Sequence, residues 1–370
     1  MRTSTMRRLT LALLAGTISL SIAGCSGGGT VAAPDRTLAP PVAGEIAQGA
    51  LSGTTLTFAS SGGIVEEGTK TAIWDPFEKQ SGATVVQDAS DEAKLKAMVE
   101  SGQVVWDITA ATQFSLASFC GTLYEKIDFS QVDTSKVPEG LTTDCSIPQI
   151  NYGMVVVYNT DKFGDNPPTS LADFFDTTKY PGKRGVNMTS YVEPQTFEIA
   201  LLAEGKDPKD FTTDDIPAAI AKYRSLGSDL VGWTSGAQAQ QQLESGEVAM
   251  SLVWSGRGYG AAAAGAKVAP IWNEWTLMTD SLAIPKGAKD VQASLAALNY
   301  YLGADQQAAL TEQTSYGGSN IDSKPSVDPL LSDWLVTDHL DTAHRTDFKF
   351  WVDNADAVSS AWGDWISGVQ

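Results

Sequence analysis

Residues 56–109 read LTFASSGGIVEEGTKTAIWDPFEKQSGATVVQDASDEAKLKAMVESGQVVWDIT, and the pattern within this stretch predicts the fold class. Three short runs rich in β-branched and aromatic residues, at 56–59, 83–87 and 104–109, read as strands. Two segments with apolar residues at helical spacing separate them. Strand and helix in strict alternation are typical of a parallel, doubly wound sheet, so the sequence predicts an α/β protein.

A second α/β pattern begins after residues 153–159, GMVVVYN, which read as a long buried strand. Trp351, Trp362 and Trp365 lie on helical stretches near the C-terminus. The sequence therefore predicts two α/β units separated by a long strand. The further predicted elements are helices at 170–175, 196–204, 216–226, 237–244 and 291–302, and strands at 185–188, 249–254, 267–272 and 281–285.

The composition suits two lobes with substantial cores and excludes several functional classes. The chain has 370 residues, of which 42% are hydrophobic, which is more than one small domain needs. Its 25 Lys and Arg residues against 44 Asp and Glu residues give a net charge of −19, which a phosphate backbone would repel, so no nucleic-acid partner is expected. Two His and three Cys residues leave little material for a metal centre.

The first 25 residues, MRTSTMRRLTLALLAGTISLSIAGC, combine a basic start with a short apolar run. This pattern predicts a signal peptide over residues 1–24 rather than a membrane-spanning helix. Residues 22–25, IAGC, resemble the bacterial lipobox, in which the cysteine is acylated after cleavage, so Cys25 is the predicted lipid anchor on the extracellular face of the cell membrane. The alternative is a plain signal peptide with an incidental cysteine.

Cleavage before Cys25 would remove three arginines and no acid, which changes the formal net charge from −19 to −22. Residues 25–53 are rich in Gly, Ala and Pro and show no apolar period. They are predicted to form a flexible tether to a folded body that starts near Thr54.

Cys120 and Cys145 form an even pair in a chain predicted to be exported. A disulfide between them would stabilise the fold by roughly 3 kcal/mol in the loop-entropy description. Two unpaired thiols are the alternative. A catalytic cysteine is not expected, because neither residue lies in a recognisable nucleophile context.

Five phrases follow one another in a characteristic order, and together they resemble the extracellular solute-binding proteins of bacterial ABC importers. The nearest branch is the spermidine/putrescine-binding type, and the resemblance spans about residues 54–370. The phrases are WDPFE with SG at 74–82, YPGKRG at 180–185, LESGEV at 243–248, VWSGR at 253–257 and TDSLAIP at 279–285.

The resemblance implies a two-lobed periplasmic-binding-protein fold of type II with discontinuous lobes, a hinge, and a solute held in the cleft for delivery to a membrane permease. The first lobe is expected over 54–157 plus 276–322. The second lobe is expected over 158–275 plus 323–370.

Three cleft residues are implied by the matching motifs. Asp280 in the TDSLAIP phrase would hold an amine, Trp254 would stack on the solute, and Tyr316 would line the cleft. Each has a structural alternative: a cap on the hinge strand for Asp280, a core position for Trp254, and a surface loop for Tyr316.

The sequence also departs from the polyamine binders. Gln195 stands where they carry an acidic residue, although Glu193 is near and could substitute for it. Ser61 replaces an expected Trp, and Thr112 and Phe114 replace a Ser and a Tyr. An amide expected beside Trp351 is replaced by Val352. These departures weaken the case for a second ammonium site.

Other residues suit a solute with an anionic end. The N–H groups of Ser61 and Gly62 precede a helix and could hold a carboxylate, although the acids Glu66 and Glu67 oppose this. Arg257 could form a bidentate bond to a carboxylate, or a salt bridge outside the cleft. A polyamine or diamine is the main expectation, and an amino-acid-like solute such as a γ-amino acid is the alternative.

An exported hydrolase is the rival class. The sequence contains no Gly-x-Ser-x-Gly elbow and no His-Glu-x-x-His motif, and His339 and His344 are not spaced to share a helix face. No catalytic residue, cofactor or metal is therefore predicted.

Overall fold

The strands of the protein belong to one continuous mixed sheet in the computed structural model, which describes residues 40–60, 62–189 and 192–368. The predicted signal peptide, Cys25 and Ser61 lie outside these ranges. The strands are β1 Thr55–Ser60, β2 Thr84–Ala89, β3 Ile108–Thr112, β4 Ser146–Asn159, β5 Arg184–Asn187, β6 Leu230–Trp233, β7 Met250–Trp254, β8 Val268–Pro270, β9 Trp275–Ala283 and β10 Ala343–Arg345.

The sheet has parallel ends and an antiparallel centre. Its order is β2-β1-β3-β9-β4-β7-β5-β6, with β8 beside β4 and β10 beside β9. Strand β1 pairs in parallel with β2 and β3, and β5 pairs in parallel with β6 and β7. Strand β9 runs antiparallel to both β3 and β4, and β4 runs antiparallel to β7. The two predicted α/β patterns are thus joined through β9 and β4.

Over residues 56–109, helices alternate with strands as the sequence pattern predicts. Aspartates cap two of these helices: the Asp91 carboxylate accepts from Lys94 N at 2.6 Å, and Asp290 accepts from Ala293 N at 3.0 Å. Within the described ranges, no helix is long and apolar enough to cross a bilayer.

The helices before β7 are α1 Gly63–Thr69, α2 Asp75–Ser81, α3 Glu92–Ser101, α4 Gln113–Phe119, α5 Thr160–Phe163, α6 Leu171–Phe175, α7 Pro194–Leu202, α8 Asp215–Arg224 and α9 Gly236–Glu244, with a π-helical turn at Lys70–Trp74 between α1 and α2. Those after β7 are α10 Ser255–Ala263, α11 Val291–Tyr301, α12 Ala304–Thr314, α13 Pro329–Ser332, α14 Phe348–Asp353 and α15 Ala355–Ser367. The helical positions of Trp351, Trp362 and Trp365 are confirmed.

Two large apolar clusters flank the centre of the sheet. We call the one that contains Phe58, Trp74 and Tyr301 the first core, and the one that contains Phe197 and Trp362 the second core. Strand β4 serves both, because Ile147 and Ile150 lie in the first core while Met154 and Val156 lie in the second. Strand β4, of which the sequence predicted only residues 153–159, therefore links the two cores.

Two strand predictions were displaced along the chain. The third strand, predicted at 104–109, is β3 at Ile108–Thr112, because Val104 and Trp106 are buried in the preceding loop without pairing in the sheet. The strand predicted at 281–285 is the C-terminal part of β9, which begins at Trp275.

The prediction that the folded body starts near Thr54 was wrong. Residues 42–53, which we call the strap, pack on the first core, where Leu51 is fully buried. The Asn299 side chain donates to the Val42 carbonyl at 2.8 Å, and Gly44 N donates to the Asn299 carbonyl at 3.0 Å. The residue that makes these bonds lies almost 260 positions away along the chain. The composition of the strap does not reveal such contacts and therefore suggests a free tether.

The predicted disulfide is confirmed. Cys120, at the C-terminus of α4, is bonded to Cys145, directly before β4, with a Cα–Cα distance of 5.7 Å. The bond fastens the loop between α4 and β4 to the first half of the sheet.

Candidate ligand-binding site

Asp280 lies at the centre of the sheet, where the two parallel halves meet. On β9 it stands in register with Thr112 of β3 on one side and Ile150 of β4 on the other. The Tyr152 hydroxyl donates a hydrogen bond to Asp280 Oδ1 at 3.0 Å. Burial raises the pKa of Asp280 to about 6, and the Tyr152 bond only partly offsets this. The carboxylate is thus partly removed from water, and a solute ammonium group would offset the cost of its charge.

Two tyrosines and a glycine form one wall beside Asp280. Tyr152 packs against both cores and meets Tyr316 edge to face, with ring centroids 5.8 Å apart. Tyr316 is 8% exposed and lies over Gly256, where an added Cβ would be 2.4 Å from the Tyr316 ring. Tyr316 is therefore not the surface-loop aromatic that was its structural alternative.

Trp254 ends β7 as a half-buried indole. Its ring meets Trp233 edge to face at 5.1 Å, and its Nε1–H donates to Glu193 Oε1 at 3.0 Å. Gly236 allows this packing, because a Cβ there would be 3.1 Å from the indole. Trp254 is therefore fixed on its edge and on one face.

Glu193 is a buried carboxyl, 6% exposed, at the start of α7. Its other oxygen accepts a hydrogen bond from Asn187 Nδ2, and Asn187 Oδ1 accepts from Thr189 N at 2.8 Å. Burial, together with a smaller effect of the negative charge of Asp280, raises the pKa of Glu193 to about 8. Glu193 therefore holds its proton to a higher pH than an exposed carboxyl group would, and each of its oxygens accepts a hydrogen bond.

Arg257 lies in the first turn of α10, one helical turn from Trp254. Its Nε is buried and finds no acceptor among the residues that the structure describes. Burial raises the pKa of Tyr316, the Arg257 guanidinium opposes this rise, and Asp280 reinforces it. A cation and a carboxylate therefore both act on the one tyrosine ring.

The remaining predicted residues have other surroundings. Gln195 is buried in the first turn of α7. The Thr112 hydroxyl is used as a helix cap, accepting from Ser115 N at 3.2 Å. Gly62 N donates to the Ser60 hydroxyl at 3.1 Å, and Ser61 is outside the described residues. Contact of these four residues with a solute stays a prediction.

Sequence reasoning did not identify Tyr152 as a site residue or the contact of Glu193 with Trp254. Tyr152 is two residues from Ile150, the register partner of Asp280, and so falls on the same face of the sheet. Only the strand register reveals that. The charge of Glu193 makes it a candidate in the sequence. Its contacts with Trp254 and Asn187 depend on the path of the preceding loop, which no motif encodes.

These features define a solute-binding protein. The chain belongs to the bacterial extracellular solute-binding protein family, whose model matches residues 72–337. The sheet is that of the type II periplasmic-binding-protein fold, as the motifs predicted, and the class consists of ABC-importer binding proteins rather than enzymes.

Two relatives are named for different solutes. The chain is 29% identical over 324 residues to the gamma-aminobutyric acid-binding protein of Pseudomonas aeruginosa, covering 85% of this chain and 91% of that protein. It is 23% identical over 315 residues to the spermidine/putrescine-binding periplasmic protein of Escherichia coli, covering 80% of this chain and 87% of that protein.

Solved structures agree with these relatives. The structure of the Atu4243–GABA receptor superposes with a TM-score of 0.77 at 33% identity, covering 85% of this chain and 98% of that one. MotA from A. tumefaciens B6, in complex with glucopine, superposes with a TM-score of 0.73 at 31% identity, covering 85% and 100%.

Proposed function

We propose that the protein captures a small zwitterionic solute, an ω-amino acid of the γ-aminobutyrate class, for an ABC importer. The observation that carries the proposal is the pair of opposite charges on either side of Tyr316. Asp280 on β9 accepts from Tyr152, whose ring packs on Tyr316, and Arg257 on α10 directly follows Gly256, against which Tyr316 packs. Asp280 would bind the ammonium group and Arg257 the carboxylate. The half-buried Trp254 and the two tyrosines would contact the methylene chain.

The state of Glu193 favours one ammonium group over two. A diamine needs a second anion, but burial raises the pKa of Glu193 to about 8, and both of its oxygens already accept hydrogen bonds from the protein. The buried Arg257 Nε, by contrast, lacks an acceptor among the described residues. An unpaired buried N–H donor is costly, and a solute carboxylate that accepts from it would remove that cost.

Putrescine or a related diamine is the second candidate. Glu193 adds a second carboxyl close enough to feel the charge of Asp280, and a dication could draw the proton from it. The 23% identical relative that is named for spermidine and putrescine also supports this reading.

We further propose a hinge through β4 and β9 between lobes at 54–157 plus 276–322 and 158–275 plus 323–370, with the strap added to the first lobe. We also propose that the protein is exported and acylated at Cys25, which would anchor it on the extracellular face of the cell membrane. One acyl chain binds a bilayer only marginally, so stable anchoring would require more than one. Mass spectrometry of the N-terminal residue of the exported chain tests this.

Calorimetry with γ-aminobutyrate and putrescine separates the two solutes. A charge-assisted hydrogen bond contributes about 1.5–3 kcal/mol, so Asp280→Asn should weaken either solute by about tenfold to over a hundredfold. Arg257→Gln should weaken γ-aminobutyrate to the same extent and leave putrescine unchanged or tighter, because it removes a positive charge.

Arg345→Gln is the matched control, since it removes an exposed arginine of β10. It should leave both affinities unchanged. Tight binding of putrescine with no binding of γ-aminobutyrate would overturn the zwitterion proposal in favour of the diamine. Unchanged affinities in a folded Asp280→Asn variant would remove Asp280 from the site.

A further inference from the structure

Trp254 is held by a hydrogen bond that a hydrophobic stacking surface does not need. Its indole N–H points into the protein and donates to Glu193 Oε1 at 3.0 Å. The same carboxyl accepts from Asn187, which in turn accepts from Thr189 N at 2.8 Å. A chain of three hydrogen bonds thus runs from the backbone after β5 to the edge of the indole.

We propose that Glu193 is a positioning residue that sets the orientation of Trp254 and thereby the solute length that the site accepts. This inference rests on the proposed function, in which Trp254 contacts the methylene chain. Glu193 does not touch the solute. Its two oxygens are taken by Trp254 and Asn187, and its side chain is almost completely buried.

Three contacts leave the indole little freedom. The Trp233 ring packs against it edge to face, Gly236 brings the backbone close to the ring, and Glu193 fixes the direction of the N–H edge. Without the carboxyl acceptor, the ring could rotate about its side-chain bonds, because Trp254 is only half-buried. The distance from the indole to Asp280 and Arg257 would then vary, and with it the preferred spacing of the two solute charges.

A buried carboxyl on the same helix provides a matched control. Glu198 of α7 is 1% exposed and accepts from Trp351 Nε1 at 2.7 Å and from the Thr346 hydroxyl at 2.7 Å. It therefore also binds a tryptophan N–H, but Trp351 belongs to the second core. Glu198→Ala should lower stability without changing solute selectivity.

The binding test uses the mature chain and the probes β-alanine, γ-aminobutyrate and 5-aminovalerate. Glu193→Ala should weaken the best of the three by about tenfold or more and bring the three affinities within about threefold of one another. Glu193→Gln, which keeps an oxygen acceptor for the indole, should restore the wild-type order. In a Trp254→Phe background, Glu193→Ala should have no further effect.

A second measurement does not depend on the solute. In the ¹⁵N spectrum of the free protein, the indole signal lost in Trp254→Phe identifies Trp254. Its N–H should exchange slowly in wild type and in Glu193→Gln, and at least tenfold faster in Glu193→Ala. Wild type that binds none of the three probes would contradict the proposed function alone. Unchanged exchange, or unchanged selectivity in a folded Glu193→Ala variant, would overturn the role of Glu193.

Discussion

Glu193 and Asp280 are two carboxyl groups of the candidate site with different neighbours, Glu193 being buried and Asp280 partly exposed. Asp280 accepts from the Tyr152 hydroxyl, whereas Glu193 has both oxygens engaged and feels the charge of Asp280. Burial raises the pKa of Asp280 to about 6 and that of Glu193 to about 8. Asp280 therefore loses its proton more readily than Glu193 does. At a pH between the two pKa values, one negative charge is available to bind a single ammonium group.

The free energy of unfolding of the solute-free protein should depend on pH through the raised pKa of Glu193. Because the folded chain holds the Glu193 proton up to a pKa of about 8, above its ordinary value of 4.5, unfolding releases a proton between these pH values. The contribution of Glu193 to the free energy of unfolding therefore falls as the pH rises through this window, by on the order of 1 kcal/mol per pH unit.

Urea unfolding of wild type and Glu193→Gln at pH 5.5 and pH 8 checks this prediction. The variant should be relatively more stable at the higher pH, because it has no proton to lose. An equal difference between the two proteins at both pH values would contradict the prediction.

Strand β9 holds the central acidic residue of the site and is paired on both sides. It pairs with β3, β4 and β10, carries Asp280, and is buried at eight of its nine positions. Since the site depends on which residues of β3 and β4 stand opposite Asp280, strand register sets its geometry. A one-residue slip would turn the carboxylate to the other face of the sheet.

This dependence explains what could be predicted from the sequence. The order of strands and helices and the identity of Asp280 and Trp254 as candidates follow from local patterns and a motif. The Tyr152 bond to Asp280 depends on register, and the position of β3 depends on whether Val104 and Trp106 fill a loop or a strand. Both are decided by contacts between distant segments, which no local pattern contains.

The strap is a second element whose structure comes from distant contacts. Asn299, 4% exposed, donates to Val42 O and accepts from Asp133 N at 2.9 Å. Asn299→Ala should lower the free energy of unfolding by about 2 kcal/mol, because it leaves buried backbone groups unpaired. Gln48→Ala, at an exposed position of the strap, should change it by less than about 0.5 kcal/mol. Equal urea midpoints for the two variants would show that the strap adds no stability.

The whole molecule brings groups from both halves of the sheet together around the site. Tyr316 belongs to the first core and packs on Gly256 of α10, while Phe114 of α4 packs against the second core. Such contacts require the two halves to be close. If a hinge through β4 and β9 opens without solute, these contacts form only on closure.

Gly256→Ala tests this motion. Its Cβ would lie 2.4 Å from the Tyr316 ring, so the variant should fold normally yet bind solute at least tenfold more weakly and stay extended in small-angle scattering. Gly363→Ala is the matched control, since a Cβ there meets nothing within 4 Å and should leave binding and scattering unchanged. Wild-type affinity in Gly256→Ala would argue against closure on this contact.

The Cys120–Cys145 bond has a practical consequence for watching such a motion. The sequence contains three cysteines, so a soluble form that starts after Cys25 would carry no free thiol once the bond has formed. A single cysteine introduced at the exposed Thr112, opposite Asp280 in the sheet, would be the sole target for a maleimide dye. The protein with its disulfide formed could therefore carry a single dye and report the binding of its own solute by fluorescence.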